Sequence, residues 1–319
     1  MLEIKTVLCP LDFSPISERE LRLATEICKR FAARLVVQHD LENLPPTYLA
    51  THWMYSEVHL QQEEDIEKRA ERVLQAVISK LPPSVKAEGR LTHGPLDGSI
   101  LFLARNLPAD LIVMATDGRG SLEHASITER VLAEAPCPVL TTQDFGADTI
   151  FPDLMGDTSG SRQQVLVPVD FTMHSLTALE FAFRLVDVLP ITLNLVHVEG
   201  NISWGDIRSA AHQKVSRHRS DRLLDAQVRL HSLVPANLSD RVNVNVRLGA
   251  TIEEICDYAS SIQAGLIIMG IHPKGVIDKL LFGATSYGVL HHSRCPVLFV
   301  PERSAAQAAT REEVAAVGA

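Results

Sequence analysis

Short apolar runs alternate with longer amphipathic stretches along this chain. In the first half the apolar runs fall at residues 6–8, 35–38, 85–90, 111–114 and 139–141. Runs of this kind, bounded by turn residues, read as strands buried on both faces. Helical patterns lie between them. Leu21, Ala24, Cys28 and Phe31 recur at i, i+3, i+7 and i+10, and Ile66, Ala70, Val73, Leu74, Val77, Ile78 and Leu81 keep one face apolar through a longer helix. Ser17-Glu-Arg-Glu20 and Thr251-Ile-Glu-Glu254 have the form of capping boxes. The order βαβαβαβαβ occurs twice. Right-handed crossovers turn that order into an α/β fold with open, doubly wound parallel sheets, Rossmann-like three-layer sandwiches with helices on both faces. Ligands of such sheets sit beyond the carboxyl ends of the strands, where the strand order switches direction.

The second half repeats the first. Cys9-Pro-Leu-Asp12-Phe-Ser14 returns as Val167-Pro-Val-Asp170-Phe-Thr172, and Val36-Val-Gln-His39 returns more loosely as Asn194-Leu-Val-His197. Ala109-Asp-Leu-Ile-Val-Met114 returns as Ala264-Gly-Leu-Ile-Ile-Met269, and Ala135-Pro-Cys137-Pro-Val-Leu140 as Ser293-Arg-Cys295-Pro-Val-Leu298. Three of the four blocks keep one offset. The third is displaced by three residues, so the first half carries a three-residue gain before Ala109 and a three-residue loss between Met114 and Cys137. Two fused copies of one domain follow, at residues 1–143 and 163–301. Residues 144–162, with Gly146, Pro152, Gly156, Ser159, Gly160 and Ser161, read as a linker, and the Ala-rich stretch 302–319 as a tail.

Composition narrows the picture. The chain has 319 residues, 46% hydrophobic and 22% charged, with a formal net charge of −9. That balance suits a globular protein and argues against nucleic-acid binding, which needs a basic face. No apolar run approaches the ~20 residues that cross a bilayer, and the opening residues lack the pattern of a signal peptide. The five cysteines, Cys9, Cys28, Cys137, Cys256 and Cys295, are scattered without a CxxC, as expected of reduced thiols in a cytoplasm.

Two features point to chemistry. Asp12 and Asp170 stand just past the first strand of each half, where a carboxylate accepts hydrogen bonds from a ribose or base, or else caps the following helix. The second is the stretch after the fourth strand of the second half, Met269-Gly-Ile-His-Pro-Lys-Gly-Val-Ile-Asp-Lys-Leu-Leu-Phe-Gly-Ala-Thr-Ser286. Its glycines either let the backbone approach phosphates or only shape a tight loop, and Gly283-Ala-Thr285-Ser286 opens a helix whose N-terminus offers N–H donors. The remaining chemically capable residues read as structural. His39 and His197 have no ligand partner at metal spacing, His291-His292 end a helix, Cys137 and Cys295 are small buried hydrophobes, and Trp53 and Tyr55 anchor a loop.

In this order, the Val-Pro-Val-Asp-Phe-Thr, Leu-Val-His-Val, Leu-Ile-Ile-Met-Gly and Arg-Cys-Pro-Val-Leu segments resemble the universal stress protein family, and both halves resemble it over nearly their full length. The resemblance implies the strand order 3-2-1-4-5 in each domain. It also implies a cytoplasmic stress-response protein that pairs through the last strands of its domains, as a homo-oligomer or within one chain. The ATP-binding branch of the family carries Gly-x2-Gly-x9-Gly-(Ser/Thr) after strand four, with Mg or Mn accompanying the ATP. On that motif Gly270 and Gly283 match the first and third glycines at the family spacing. Ala284 takes the Ser/Thr place with Thr285 and Ser286 beside it, Asp170 matches the ribose/adenine Asp, and Val198 matches the adenine-contacting backbone. The second glycine position is Pro273, which has no N–H and a fixed φ, so tight triphosphate binding is in question there. In the first domain the weaker equivalents are Asp12, Gly118 and Ser126. Ala115 and Ala125 replace glycines, the loop is three residues short, and Asp117 adds a negative charge beside the phosphate position. The resulting expectation is a stress-response module that binds an adenine nucleotide mainly in the second domain and acts through partners. The alternative is a nucleotide-independent dimerising scaffold of the same fold. An enzyme ranks last, since neither a Walker A Gly-Lys-Ser/Thr nor a Ser-Gly-Gly-x-Asp-Ser loop occurs; slow ATP hydrolysis is the most that is expected.

Overall fold

The structure is a computed structural model and describes residues 2–41, 57–116, 126–143, 162–200, 212–271 and 283–302. In the first domain the strands are β1 (Thr6–Pro10), β2 (Arg34–Leu41), β3 (Lys86–His93), β4 (Leu111–Ala115) and β5 (Val139–Thr142). The helices are α1 (Pro15–Phe31), α2 (Glu57–Ile78), α3 (Leu96–Asn106) and α4 (Ile127–Glu134). The strands lie in the order β3-β2-β1-β4-β5, with β1 parallel to both β2 and β4. The second domain repeats this with β6 (Gln163–Pro168), β7 (Ile191–Glu199), β8 (Val242–Leu248), β9 (Leu266–Ile271) and β10 (Val297–Pro301). Its helices are α5 (Met173–Val186), α6 (His212–Leu233), α7 (Thr251–Ser261) and α8 (Ala284–His292). The order is β8-β7-β6-β9-β10, so both domains are five-stranded parallel sheets of order 3-2-1-4-5.

The chain moves outward from β1 to β3 and then reverses to β4 and β5. Right-handed crossovers therefore place α1 and α2 on one face and α3 and α4 on the other. The central strands are sealed on both sides: Val7, Leu8, Ile112 and Val113, and Val165, Leu166, Ile267 and Ile268, are fully buried. A crevice opens where the direction reverses, between the carboxyl ends of the first and fourth strands.

Three expectations need correction. β3 runs over residues 86–93 rather than 85–90 and is half-exposed along its length, because it is the edge of its sheet with a neighbour on one side only. On α2, Leu74 faces the core but Val73 is exposed, so the apolar stripe is narrower than its spacing predicts. Neither capping box forms. The N-cap of α1 is Ser14, whose hydroxyl accepts the N–H of Ser17. The N-cap of α7 is Ala250, with no side-chain cap; the Glu254 carboxylate is taken by Arg247 at 2.6 Å.

The two domains join their third and fourth helices differently. In the first, Arg130 on α4 forms a two-pronged ion pair with Asp97 on α3, with Nε–Oδ2 at 2.9 Å and Nη2–Oδ1 at 3.4 Å. In the second, those places hold Gly288 and Ile252, and a Cβ on Gly288 would press into the Ile252 side chain. The obstacle is the end of a side chain that can turn away. Gly288→Ala is therefore expected to cost about 1 kcal/mol, read from urea denaturation, and Ile252→Ala in the same chain should recover part of it. A double variant no more stable than the sum of the two single changes would show that the two side chains do not meet.

Candidate functional site

The site is built from the turn that follows β6. Asp170 stands two residues past the end of β6, Phe171 takes the left-handed conformation at φ 63°, and Thr172 caps α5. A bulky residue rarely adopts that conformation, and here the geometry is anchored from both sides. Asp170 Oδ1 accepts the Thr172 N–H at 3.0 Å and the Thr172 hydroxyl at 2.6 Å. The Phe171 ring lies between the imidazole of His197, with centroids 4.8 Å apart, and the guanidinium of Arg229, 3.9 Å from the ring centre. The first domain repeats the turn: Phe13 has φ 61°, its ring packs on His39 at 4.4 Å, and Asp12 Oδ1 accepts the Ser14 N–H at 2.9 Å.

Both aspartates thus serve the helix that follows them. For Asp170, burial is the largest influence and raises the carboxyl. The hydrogen bonds from the Ser175 and Thr172 side chains and from the Thr172 and Asp170 N–H groups outweigh it and hold the group below the usual carboxylate range. Asp12 is lowered in the same way, burial opposing the hydrogen bonds of Ser14 and Ser17 and of the Ser14 and Asp12 N–H groups. A carboxyl lowered by folding stabilises the native state above its unfolded value of about 4, and that stabilisation is lost as pH falls through the lower folded value. Asp12→Asn and Asp170→Asn are accordingly expected to flatten the acid side of the stability–pH curve, measured by denaturation from about pH 5 to pH 2. An unchanged slope would count against the turn bonds. Both bonds from Thr172 fall on Oδ1.

Asp170 opens onto a cleft of about 480 Å³ in the second domain. Its apolar part is formed by Val196 and Val198 of β7, Ile255 of α7 and Met269 of β9. Its polar part is formed by Gly270, Gly283, Ala284, Thr285 and Ser286. His197 lines the wall, with Nδ1 on the Val169 carbonyl at 2.7 Å and Nε2 3.5 Å from Glu199 Oε1; Arg222 also pairs with Glu199. Gly270 is a glycine for a packing reason: a Cβ there would collide with the main-chain carbonyl of His174 in the first turn of α5. Gly283 is a glycine for a conformational one. It caps α8 at φ 94° with open space around it, and among the described residues no side chain caps the helix. The first N–H groups of α8 therefore keep their donor capacity beside the cleft. Ser286 is buried, with its hydroxyl turned to the Gly270 carbonyl at 3.4 Å.

The corresponding end of the first domain is closed by its own side chain. Ser126 caps α4 and accepts the Glu129 N–H at 3.2 Å, while Thr128 donates to the Ala115 carbonyl at 2.9 Å, as Ser286 does to Gly270. Gly118, Asp117 and Ala125 lie outside the described residues, as do Pro273, Trp53 and Tyr55.

The structure thus brings Asp170, Val198, Gly270, Gly283, Ala284, Thr285 and Ser286 to one cleft. Sequence reasoning missed Met173 and His174, which also line it. The available signal was adjacency alone, since both follow the Asp-Phe-Thr turn directly. Thr251 and Ile255 were missed as well; they reach the cleft from α7 across the reversal point. Cys137 and Cys295 are buried, and burial pushes the Cys295 thiol up to about 12, as expected of inert thiols. Among the described residues no group of three His, Cys, Asp or Glu side chains is placed to hold a metal ion, and no helix is long and apolar enough to cross a membrane.

Comparison with known proteins agrees with this architecture. The universal stress protein family profile matches residues 3–143 and again 161–301. A universal stress protein of Thermus aquaticus is 35% identical over 141 residues, covering 43% of this chain and 96% of its own. One of Mycobacterium tuberculosis is 27% identical over 202 residues, covering 60% of this chain and 61% of its own length. Among solved structures, a universal stress protein from Archaeoglobus fulgidus matches 94% of this chain and 97% of its own with a TM-score of 0.65 at 20% identity, a likeness of fold. With the family profile satisfied twice and each half folded in the 3-2-1-4-5 order, this chain belongs to the universal stress protein family, with two such domains in tandem.

Proposed function

We propose that this protein is a stress-response module that binds an adenine nucleotide in its second domain and acts through protein partners. The observation that carries the reading is the contrast between the two helix starts. Ser126 closes the N-terminus of α4 with its own hydroxyl, whereas its counterpart in the second domain is Ala284 and the N-cap of α8 is Gly283, neither of which has a side chain that can cap the helix beside the cleft. Open N–H donors at a helix N-terminus favour an anion. The apolar walls at Val196, Val198 and Ile255 suit a base, and the Asp170 carboxylate at the cleft suits a ribose hydroxyl. The donor set therefore fits a nucleotide such as ATP, with Mg or Mn held by the phosphates rather than by a protein cage. We assign no enzymatic turnover beyond slow hydrolysis, place the protein in the cytoplasm on the strength of its free thiols, and propose that its domains or its copies pair through their last strands.

Calorimetric titration of the purified chain with ATP, with and without Mg²⁺, tests the reading; one site per chain is the expected result. A second reading, the nucleotide-independent scaffold, is favoured by Pro273, which removes one donor from the family motif. Absence of binding at millimolar ATP would support it, and Pro273→Gly should then restore measurable affinity by returning the N–H and the freedom in φ.

A further inference from the structure

We infer that Arg229 of α6 is a positioning residue for the ligand of the second domain: through the Phe171 ring it holds the turn that presents Asp170 to the cleft. The inference rests on the nucleotide reading above and adds a residue that acts on the site without touching the ligand. Asp170 and His197 line the cleft, whereas Arg229 is not among the described residues that do. α6 packs on β7 and β8, and Arg229 lays its guanidinium 3.9 Å from the centre of the Phe171 ring. The same ring packs on His197, with centroids 4.8 Å apart. His197 Nε2 lies 3.5 Å from Glu199 Oε1, and Glu199 pairs with Arg222, about two turns from Arg229 on α6. The line of contacts thus begins and ends on α6 and passes through two residues beside the ligand position.

Backbone strain makes the ring contacts matter. Phe171 has φ 63°, a conformation that a bulky residue keeps only where its surroundings hold it. Asp170 is its immediate neighbour, so a turn that relaxes at Phe171 re-aims the carboxylate. A planar guanidinium over an aromatic face suits this task, since it attracts the ring electrostatically and covers it at the same time. The contrast between the domains ties the device to the cleft. The first domain repeats the stack of Phe13 on His39 at 4.4 Å, but Leu41 stands where the second has Glu199. The carboxylate that links the histidine to α6 therefore belongs to the domain with the cleft.

The test is calorimetry on the full chain with adenosine and AMP, comparing wild type with Arg229→Ala, Arg229→Lys, Phe171→Leu and the Phe171→Leu/Arg229→Ala double variant. Arg229→Ala should weaken both ligands by about threefold or more, and Arg229→Lys should recover part of that loss. In the Phe171→Leu background Arg229→Ala should change affinity by less than about 1.5-fold, because the ring through which it acts is gone. Adenosine is uncharged, so a loss confined to AMP would show that Arg229 works as a distant cation and would overturn the inference. An undiminished affinity in Arg229→Ala, or an equal loss with and without the Phe171 ring, would also overturn it and leave the nucleotide reading standing. Failure of wild type to bind either ligand would overturn both.

Discussion

Asp170→Ala is expected to weaken adenine-nucleotide binding by about ten- to a hundredfold, while Asp12→Ala leaves it within about twofold. The two aspartates are equivalent in sequence and in turn geometry, each spending Oδ1 on the N–H two residues ahead. They differ in what surrounds them. Asp170 faces a cleft with an open helix start, whereas the helix start on Asp12's side is closed by Ser126. A charged acceptor lost from a ligand hydrogen bond is worth about 1.5–3 kcal/mol, the source of the expected factor. Removing the carboxylate also loosens the turn, so Asp170→Asn is the companion variant. It keeps an acceptor for the Thr172 N–H and should bind at an intermediate level. Equal losses from the Asp12 and Asp170 variants would remove the asymmetry on which the functional reading stands.

Gly270→Ala is expected to destabilise the second domain by about 1–3 kcal/mol, lowering its melting temperature by several degrees. The added methyl meets main-chain atoms of His174, and these cannot turn aside as a side chain can. Relief requires α5 to move away from β9, which also displaces Asp170, Thr172 and His174 from the cleft. The first domain carries Ala115 at this place, so it admits the methyl that the second cannot; Ala115→Gly should cost no more than about 1 kcal/mol. Hydrogen exchange resolves the effect by element: protection should fall along β9 in Gly270→Ala while β4 stays as in wild type. Wild-type protection and melting in that variant would mean that the close approach of α5 to β9 is not real.

Much of this was legible in the residues. The apolar runs mark the five strands of the first domain in the right order, because strands buried on both faces must be almost wholly apolar. Edge strands are the exception. β3 carries Lys86, Glu88 and Arg90 on a half-exposed surface and blurs the pattern where it ends. Capping boxes failed for another reason. A Ser or Thr three residues before Glu satisfies the pattern anywhere, but only the residue at the helix boundary is a cap. The boundary of α1 was set by the Asp12–Phe13–Ser14 turn, and Glu254 of α7 was drawn off by Arg247.

Spacing identified Gly270 and Gly283 alike as motif glycines. Only packing separates them, one excluded by the His174 carbonyl and the other required by φ 94° in open space. Met173 and His174 carry no periodic signal; they matter because α5 begins over Gly270 at the cleft. The repeat and the two aspartates could be read from the chain alone because they follow local apolar patterning and a duplicated segment, whereas the strand order came from the resemblance to the family. Which aspartate faces an open cleft depends on residues far apart in sequence. Ser126 in the first domain and Gly283 in the second acquire their meaning only when the sheet of each domain folds and sets the helix that they cap against its own strand ends.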